Sequence, residues 1–458
     1  MTTVNTPTAT AAPQQRRGGR WIDDWRPEDL DFWNTQGKSI ARRNLIFSVL
    51  SEHIGFSVWS LWSVLVLFLG KDYGFDPAQK FLLTALPTLV GSVLRIPYTF
   101  AVGKFGGRNW TIVAALLLLL PTIAIALVLK PGVSFTTLLL VSLLAGVGGG
   151  NFASSMTNIN AYYPSRLKGW ALGINAGGGN LGVPVVQLVG LLVLATVGAT
   201  HPRAMVAIYI PLILLAALGA ALTMDNLSQN SNAKGAIREV TGHYQTWVIS
   251  LLYIGTFGSF IGFGFAFGQV LLVQFPGQFP VPLKAAALTW LGPLLGSLIR
   301  PVGGALADRY KGSLVTFWNF VAMALGAVVV LLASRANSLP LFLVGFVILF
   351  VFSGLGNGAV YKMIPAIFSA KAQLSTGAGA DEVEAARLAT KRSGALIGLA
   401  GAIGAFGGVL VNLAFRQSFL TLKNGDGAYV AFLVFYAICF AVTWAIFIRP
   451  RAGKLQGV

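Results

Sequence analysis

The sequence predicts an all-α membrane protein with 12 transmembrane helices in two pseudo-symmetric six-helix bundles. Three observations predict this fold class. Of the 458 residues, 55% are hydrophobic and only 10% are charged, whereas soluble domains carry roughly 25% charged residues. The chain contains about 12 apolar runs, each of the length that a membrane helix needs. Several motifs also recur between the first six runs and the last six.

The apolar runs set the order of the predicted elements. A polar stretch from Asp225 to Thr241 separates the sixth run from the seventh. The predicted helices lie near residues 44–69, 78–103, 110–130, 135–160, 168–196, 203–223, 245–273, 284–307, 313–334, 339–364, 392–415 and 428–448. We therefore expect an N-terminal arm (1–40, with 1–20 disordered), a first bundle (41–225), a linker (226–244), a second bundle (245–449) and a tail (450–458). The arm from Trp21 to Lys38 is either an interfacial amphipathic segment or a partly ordered cytoplasmic arm.

The basic residues indicate topology. A net charge of +18 would suggest nucleic acid as the partner of a soluble protein. With the N-terminus in the cytoplasm, however, 23 of the 33 Lys and Arg residues fall on the cytoplasmic side, as the positive-inside rule requires. We expect a multi-pass protein of the cytoplasmic (inner) membrane with both termini cytoplasmic, a lipid bilayer as partner and no nucleic acid. We also expect a monomer and no cofactor. The single cysteine, Cys439, allows no intramolecular disulfide and suggests no cysteine metal site, so no metal is expected.

Two arginines lie deep inside apolar runs, at matching places in the two halves. Arg95 follows Gly91-Ser92 and Arg300 follows Gly296-Ser297, with an offset of 205 residues in both cases. Each is nine residues from the basic residue that ends its run, or roughly 13 Å at the helical rise, near the middle of a hydrocarbon core about 30 Å thick. An intramembrane arginine indicates a functional site. Two of them indicate a binding site for an anion.

One acid lies well inside an apolar run. Of the 15 acids, only Glu52 does so, next to His53. One carboxylate cannot neutralise two guanidinium groups, so at least one arginine is left for a mobile anion, water or helix ends. Three interpretations of the pair stay open: a hydrogen bond or salt bridge from Glu52 to Arg95, proton coupling, and simple packing.

Glycines also repeat between the halves. Four glycines of the fifth predicted helix match four of the eleventh at an offset of 225 residues, and three of the fourth match three of the tenth at 208. Such residues allow helices to pack closely, or allow two bundles to rock and backbone to approach a ligand. The sequence does not separate these two roles. The signature positions are Gly173, Gly177, Gly179, Gly182, Gly398, Gly401, Gly404, Gly407 and Gly408.

These motifs resemble the nitrate/nitrite porter family of the major facilitator superfamily, from about Trp25 to Arg449. The resemblance rests on Trp25–Asp29, Leu86-Pro87, Leu94–Tyr98, Phe105–Arg108, Asn151–Met156, the two glycine signatures, and the superfamily motif with Gly304, Asp308 and Arg309. It implies the major facilitator fold and transport of nitrate and nitrite, gripped by Arg95 and Arg300. It further implies that Phe152, Asn180, Tyr253 and Phe257 line the same cavity. The pair Glu52-His53 departs from the family, which has an apolar stretch there.

Four functional hypotheses follow. The first is nitrate/nitrite antiport by alternating access, because an empty site with two desolvated cations is unfavourable to carry across a membrane. The second is symport of nitrate or nitrite with a proton through Glu52 and His53. The third is exchange of phosphate or an organophosphate, and the fourth is an anion channel or a membrane sensor. An enzyme is not expected, because the sequence has no nucleotide-binding loop, metal-ligand cluster or catalytic triad.

Overall fold

The computed structural model describes residues 20–228, 234–377, 379, 381–450 and 458. Twelve helices in this part of the chain are long and apolar enough to cross a membrane. They are α1 (Leu30–Phe68), α2 (Pro77–Phe105), α3 (Gly107–Val128), α4 (Phe135–Tyr162), α5 (Ser165–Thr196), α6 (Pro202–Thr223), α7 (Tyr244–Gln274), α8 (Pro282–Tyr310), α9 (Gly312–Arg335), α10 (Leu339–Gly377), α11 (Glu382–Thr421) and α12 (Asp426–Ile448).

Hydropathy located these helices correctly but misjudged several ends. Helix α1 begins at Leu30 rather than near residue 44, α10 continues to Gly377 rather than 364, and α11 begins at Glu382 rather than 392. The predicted loop between α10 and α11 is therefore mostly helix. The reason is physical: a hydropathy scan finds only the apolar part of a helix, whereas backbone hydrogen bonding continues through polar turns outside the membrane.

The N-terminal arm packs against the first six helices. Its strand β1 (Trp21–Ile22) pairs in parallel with β2 (Asn226–Leu227), just after α6. The Trp25 ring contacts both Phe32 and Tyr162 edge to face, with centroids 5.3 Å apart in each case. The described part of the arm, from residue 20, is thus ordered by packing. The predicted disorder of residues 1–20 otherwise lies outside the described residues.

The linker after β2 is held by the second half. A short linker helix (Lys234–Thr241) carries Glu239, which pairs with Arg392 of α11. The Nδ1 of His243 lies 3.1 Å from the Nζ of Lys371 on α10.

The two halves close against each other on the membrane side away from the termini. Phe81 of α2 stacks on both Phe415 and Phe419 of α11, with centroids 5.7 and 5.5 Å apart. Trp59 of α1 meets Phe265 of α7 at 5.4 Å. On the side of the termini, a Cβ atom added at Gly173 or Gly177 of α5, or at Gly394 of α11, would meet nothing within 4 Å, apart from the helix's own backbone. These three glycines therefore have no close neighbour, although Gly398 of α11 still lies near Thr99 of α2 on the same side.

Candidate functional site

Arg95 is fixed at the middle of α2 by backbone carbonyls from both halves. Its side chain is fully buried, at 0% exposure. The Nε donates to the carbonyl of Gly149 on α4 at 3.1 Å, and Nη1 donates to the carbonyl of Gly401 on α11 at 2.8 Å. The remaining nitrogen, Nη2, is buried and has no hydrogen-bond partner. One edge of the guanidinium is therefore free to bind a ligand.

Aromatic rings surround this guanidinium. Its central carbon lies 4.6 Å from the ring centroid of Phe152, 4.9 Å from that of Phe257 and 5.5 Å from that of Trp59. Such contacts stabilise a cation that has lost its water. They also leave the charge uncompensated, because an aromatic ring carries no net charge.

Arg300 of α8 approaches the same ring from the second half. Its guanidinium lies 5.9 Å from the Phe152 centroid and 5.5 Å from that of Tyr361, and it is 6% exposed. Its Nη1 is buried without a partner. Among the described residues, no acid forms a salt bridge with either arginine. The structure therefore brings Arg95 and Arg300 together around Phe152, as a repeat-related pair.

A π-helical turn in α7 presents the other predicted aromatic residues. This turn spans Ile254–Gly258, and such single turns are frequent at functional sites. Tyr253 and Phe257 stack at 5.2 Å with their planes 19° apart. Phe257 in turn stacks on Phe152 at 6.1 Å. The rings line one continuous apolar wall that contacts both guanidinium groups.

Tyr361 of α10 was missed by the sequence analysis. Its ring lies beside Arg300 and 6.1 Å from the ring of Tyr253. The hydroxyl groups of both tyrosines are buried without a hydrogen-bond partner. The internal repeat carried a signal, because the offset of 208 residues maps Phe152 to Val360, one residue away. The site therefore contains two buried hydroxyl groups as further hydrogen-bond donors, in addition to the two arginines.

Asn180 is buried on α5, and its amide oxygen has no hydrogen-bond partner. No hydrogen bond links it to either arginine among the described residues. The structure places it next to Gly179, against which the side chain of Glu52 packs. The place of Asn180 in the anion cavity therefore stays a prediction.

Glu52 does not pair with Arg95, so the salt-bridge interpretation is wrong. Its carboxylate accepts a short hydrogen bond from the Ser155 hydroxyl on α4 and one at 2.6 Å from the Nδ2 of Asn175 on α5. Helix packing directs the carboxylate to these partners, because Gly179 leaves room for it on α5. His53 has a separate partner, since its Nδ1 lies 3.0 Å from the carbonyl oxygen of Gly178.

The signature glycines divide into packed and open positions. At Gly404 an added Cβ would overlap the ring of Tyr253, and at Gly407 it would lie 2.8 Å from the Cα of Gly258. Gly173 and Gly177 face open space instead. The packed positions fit the close-packing role, and the role in rocking or in ligand approach stays a prediction. Of the others, Gly179 and Gly182 contact α1, Gly398 and Gly401 lie near Thr99 and Arg95, and Gly408 contacts Ile261.

The superfamily motif lies at the end of α8, away from the arginine pair. Asp308 accepts a salt bridge from Lys362 of α10 at 2.8 Å. Gly304 lies beside the same lysine side chain, and the guanidinium of Arg309 lies 5.1 Å from the Tyr310 ring. In the described part of the chain, no group of three or more His, Cys, Asp or Glu side chains could hold a metal ion.

Comparisons with known proteins show the family of the chain. Residues 49–381 match the family described as Major Facilitator Superfamily. The chain is 38% identical to the nitrate/nitrite transporter NarU of Salmonella typhimurium, over 94% of this chain and 96% of that protein. It is 36% identical to NarU of Escherichia coli, over 97% and 100%. It is 32% identical to the probable nitrate/nitrite antiporter NarK2 of Thermus thermophilus, over 95% and 98%.

Solved structures support the fold alone. A D-xylose-proton symporter superposes with a TM-score of 0.66 at 14% identity, covering 92% of this chain and 99% of that one. The human organic anion transporter MFSD10 (TETRAN) gives 0.61 at 13% identity, covering 88% and 99%.

Proposed function

The chain belongs to the nitrate/nitrite porter family of the major facilitator superfamily, and from that premise we propose that it transports nitrate and nitrite across the cytoplasmic membrane by alternating access. It is a multi-pass membrane protein and a secondary transporter rather than an enzyme. Both termini lie in the cytoplasm and the monomer is the working unit. The halves 41–225 and 245–449 move against each other.

The observation that carries this proposal is the pair of buried guanidinium groups that both lie against the ring of Phe152. Each has a buried nitrogen without a partner, Nη2 in Arg95 and Nη1 in Arg300. Nitrate and nitrite are small, planar, singly charged anions whose oxygens accept from guanidinium N–H groups. The aromatic wall accepts a flat anion face, whereas a tetrahedral phosphate with more charge would lack further cations among the described residues of the site.

Exchange is the transport mode that the charges favour. The empty site holds two desolvated cations, which is unfavourable to enclose and carry across the bilayer. Binding of one anion from either side of the membrane reduces that charge and permits the two halves to rock. Nitrate enters as nitrite leaves.

Proteoliposomes test this directly. We would compare nitrate uptake into vesicles preloaded with nitrite and into empty vesicles, each with and without an inward proton gradient. Uptake that requires internal nitrite supports exchange, and uptake into empty vesicles driven by external acid supports proton symport. A steady nitrate current without saturation would indicate a channel, and no nitrate or nitrite movement under any condition would contradict the proposed substrates.

A further inference from the structure

Glu52 is a fully buried acid that the anion site itself does not use. The carboxylate is 0% exposed and lies against the backbone of Gly179 on α5. One oxygen, Oε2, accepts hydrogen bonds from Ser155 and Asn175. The other oxygen, Oε1, is buried without a partner. A charge held in this way is costly unless something else compensates it.

The groups that face Glu52 from the packed helices are few. Arg95 of α2 and Arg300 of α8 act on its carboxylate through their positive charges, without forming a salt bridge. Helices α4 and α5 contribute the uncharged Ser155 and Asn175, and His53 on α1 points to the Gly178 carbonyl. Any anion held by the two arginines therefore shares its cations with Glu52.

The hydroxyl of Ser155 can serve either protonation state of Glu52. Its oxygen lies within donor distance of both the Glu52 carboxylate and the carbonyl of Phe152, the latter at 3.1 Å. A hydroxyl has a single hydrogen. It donates to Glu52 when the carboxylate is ionised, and it can turn to Phe152 and accept from Glu52 when the carboxyl is protonated. Neither state requires a change of the backbone.

Glu52 lines a small cavity inside the first half of the chain. The cavity is about 10 Å³ and lies between α1, α3 and α4, close to the smallest space that holds a water molecule. Two of its polar lining atoms, the Oγ of Ser48 and the Oδ1 of Asn151, are buried without a partner. Its lining residues are Ser48, Ser51, Glu52, Thr111, Ala114, Asn151, Ser154 and Ser155. A water molecule in this cavity would contact Glu52 and these two unpaired atoms.

We propose that Glu52 is a proton-binding site linked to the anion site, so that its protonation strengthens nitrate binding and nitrate binding draws a proton onto Glu52. The inference rests on the proposed function and deepens it. An ionised Glu52 and a bound nitrate are both negative and compete for the same two cations in a medium of low dielectric constant. Neutralising one strengthens the binding of the other, and linkage makes the effect reciprocal.

The charge count gives the linkage a consequence for transport. With Glu52 ionised and no anion bound, two guanidinium groups and one carboxylate leave a net charge of one positive unit. With both a proton and nitrate bound, the net charge is again one positive unit. The empty and the doubly loaded carrier therefore enclose the same charge, and the electrostatic barrier that makes exchange obligatory is reduced. Exchange therefore holds while Glu52 stays protonated in the empty carrier, where the net charge is two positive units, and net uptake of nitrate with a proton becomes accessible only when Glu52 releases its proton.

Nitrate binding to the purified full-length protein tests the proposal. We would measure the dissociation constant by calorimetry between about pH 5 and about pH 9, a range that covers ordinary and buried carboxyl groups. In the wild type we expect the dissociation constant for nitrate to rise about tenfold from acid to alkaline pH. This is the effect expected if bound nitrate changes the pKa of the linked group by about one unit. Glu52→Gln should bind nitrate at every pH about as tightly as the acidic wild type does. A Glu52→Gln variant with wild-type pH dependence would overturn the proposal.

His53→Gln is the comparison variant, because it changes the other titratable group of the same turn. If nitrate binding no longer depends on pH in His53→Gln but still depends on pH in Glu52→Gln, the linkage belongs to His53 and the proposal is wrong. The wild type also provides a test that needs no variant. Nitrate added to protein in weakly buffered solution should cause proton uptake, and nitrate binding without proton uptake across the same pH range would overturn the linkage.

The proposed function fails separately from this inference. If the wild type binds neither nitrate nor nitrite at any pH, the proposed substrates are wrong, and the linkage to nitrate is overturned with them. If it binds nitrate with an affinity that does not depend on pH, the transport proposal stands and only the linkage fails.

Discussion

Replacing each arginine of the pair by lysine separates binding from stability. Arg300→Lys keeps a positive charge but removes the planar fork, so an anion loses at least one charge-assisted hydrogen bond. Such a bond contributes about 1.5–3 kcal/mol, which corresponds to a dissociation constant roughly 10- to 150-fold higher. Because the unpaired Nη1 of Arg300 has no protein partner to lose, the thermal stability of the variant should stay close to that of the wild type.

Arg95→Lys should behave differently. The Nε and Nη1 of Arg95 donate to the carbonyls of Gly149 and Gly401, and a lysine cannot reach both from the same position. A buried acceptor left without a donor costs about 1–3 kcal/mol. This variant should therefore lose nitrate affinity and also unfold at a lower temperature, with weaker contact between α2 and α11.

The assay is nitrate titration and thermal unfolding of purified protein, with nitrate counterflow in vesicles. Arg335→Lys is the control, because that arginine forms an exposed pair with Asp426 at 3.3 Å, a kind of contact worth little. If the dissociation constant of Arg300→Lys stays within about threefold of the wild-type value, the change is smaller than the loss of a charge-assisted hydrogen bond would cause. That result would refute the two-arginine clamp. Equal stability of Arg95→Lys and Arg300→Lys would refute the role of Arg95 as a tie between the halves.

Three further predictions concern residues around the site and the linker. Tyr361→Phe should weaken nitrate binding about fivefold, the loss of a hydrogen bond of about 1 kcal/mol, whereas Tyr429→Phe, which removes a buried unpaired hydroxyl far from the site, should not; equal effects would exclude the Tyr361 hydroxyl from the site. Gly404→Ala should abolish counterflow, because the added Cβ overlaps Tyr253, while Gly394→Ala, which meets no neighbour within 4 Å, should keep it; a fully active Gly404→Ala would contradict that packing. Burial and the neighbouring Lys371 and Arg392 hold the pKa of His243 below its ordinary value of 6.5, so its contribution to stability is present above pH 6.5 and is lost as the pH falls through the folded-state pKa. His243→Gln should lessen the fall in melting temperature on acidification, and an unchanged fall would contradict this assignment.

The sequence correctly predicted that Arg95 and Arg300 lie well inside long apolar helices, α2 and α8. Depth along a membrane helix follows from the fixed rise per residue and from where the apolar run ends. Arg95 and Arg300 are therefore placed near midplane by their own helices, and the internal repeat indicates that they belong together. The same reasoning failed at the ends of α10 and α11, where polar turns continue the helix beyond the apolar run.

The partners of each side chain were decided only by the tertiary structure. Glu52 and Arg95 reach similar depths, yet the carboxylate turns to Ser155 and Asn175, while Arg95 turns to Gly149 and Gly401. Tyr361 carried no sequence motif of its own, and it enters the site because α10 packs beside α8. Local composition fixes how deep a residue lies, because the bilayer acts on each helix separately. Which neighbour it faces depends on the rotation of every helix about its axis, and that rotation is set by the packing of all twelve together.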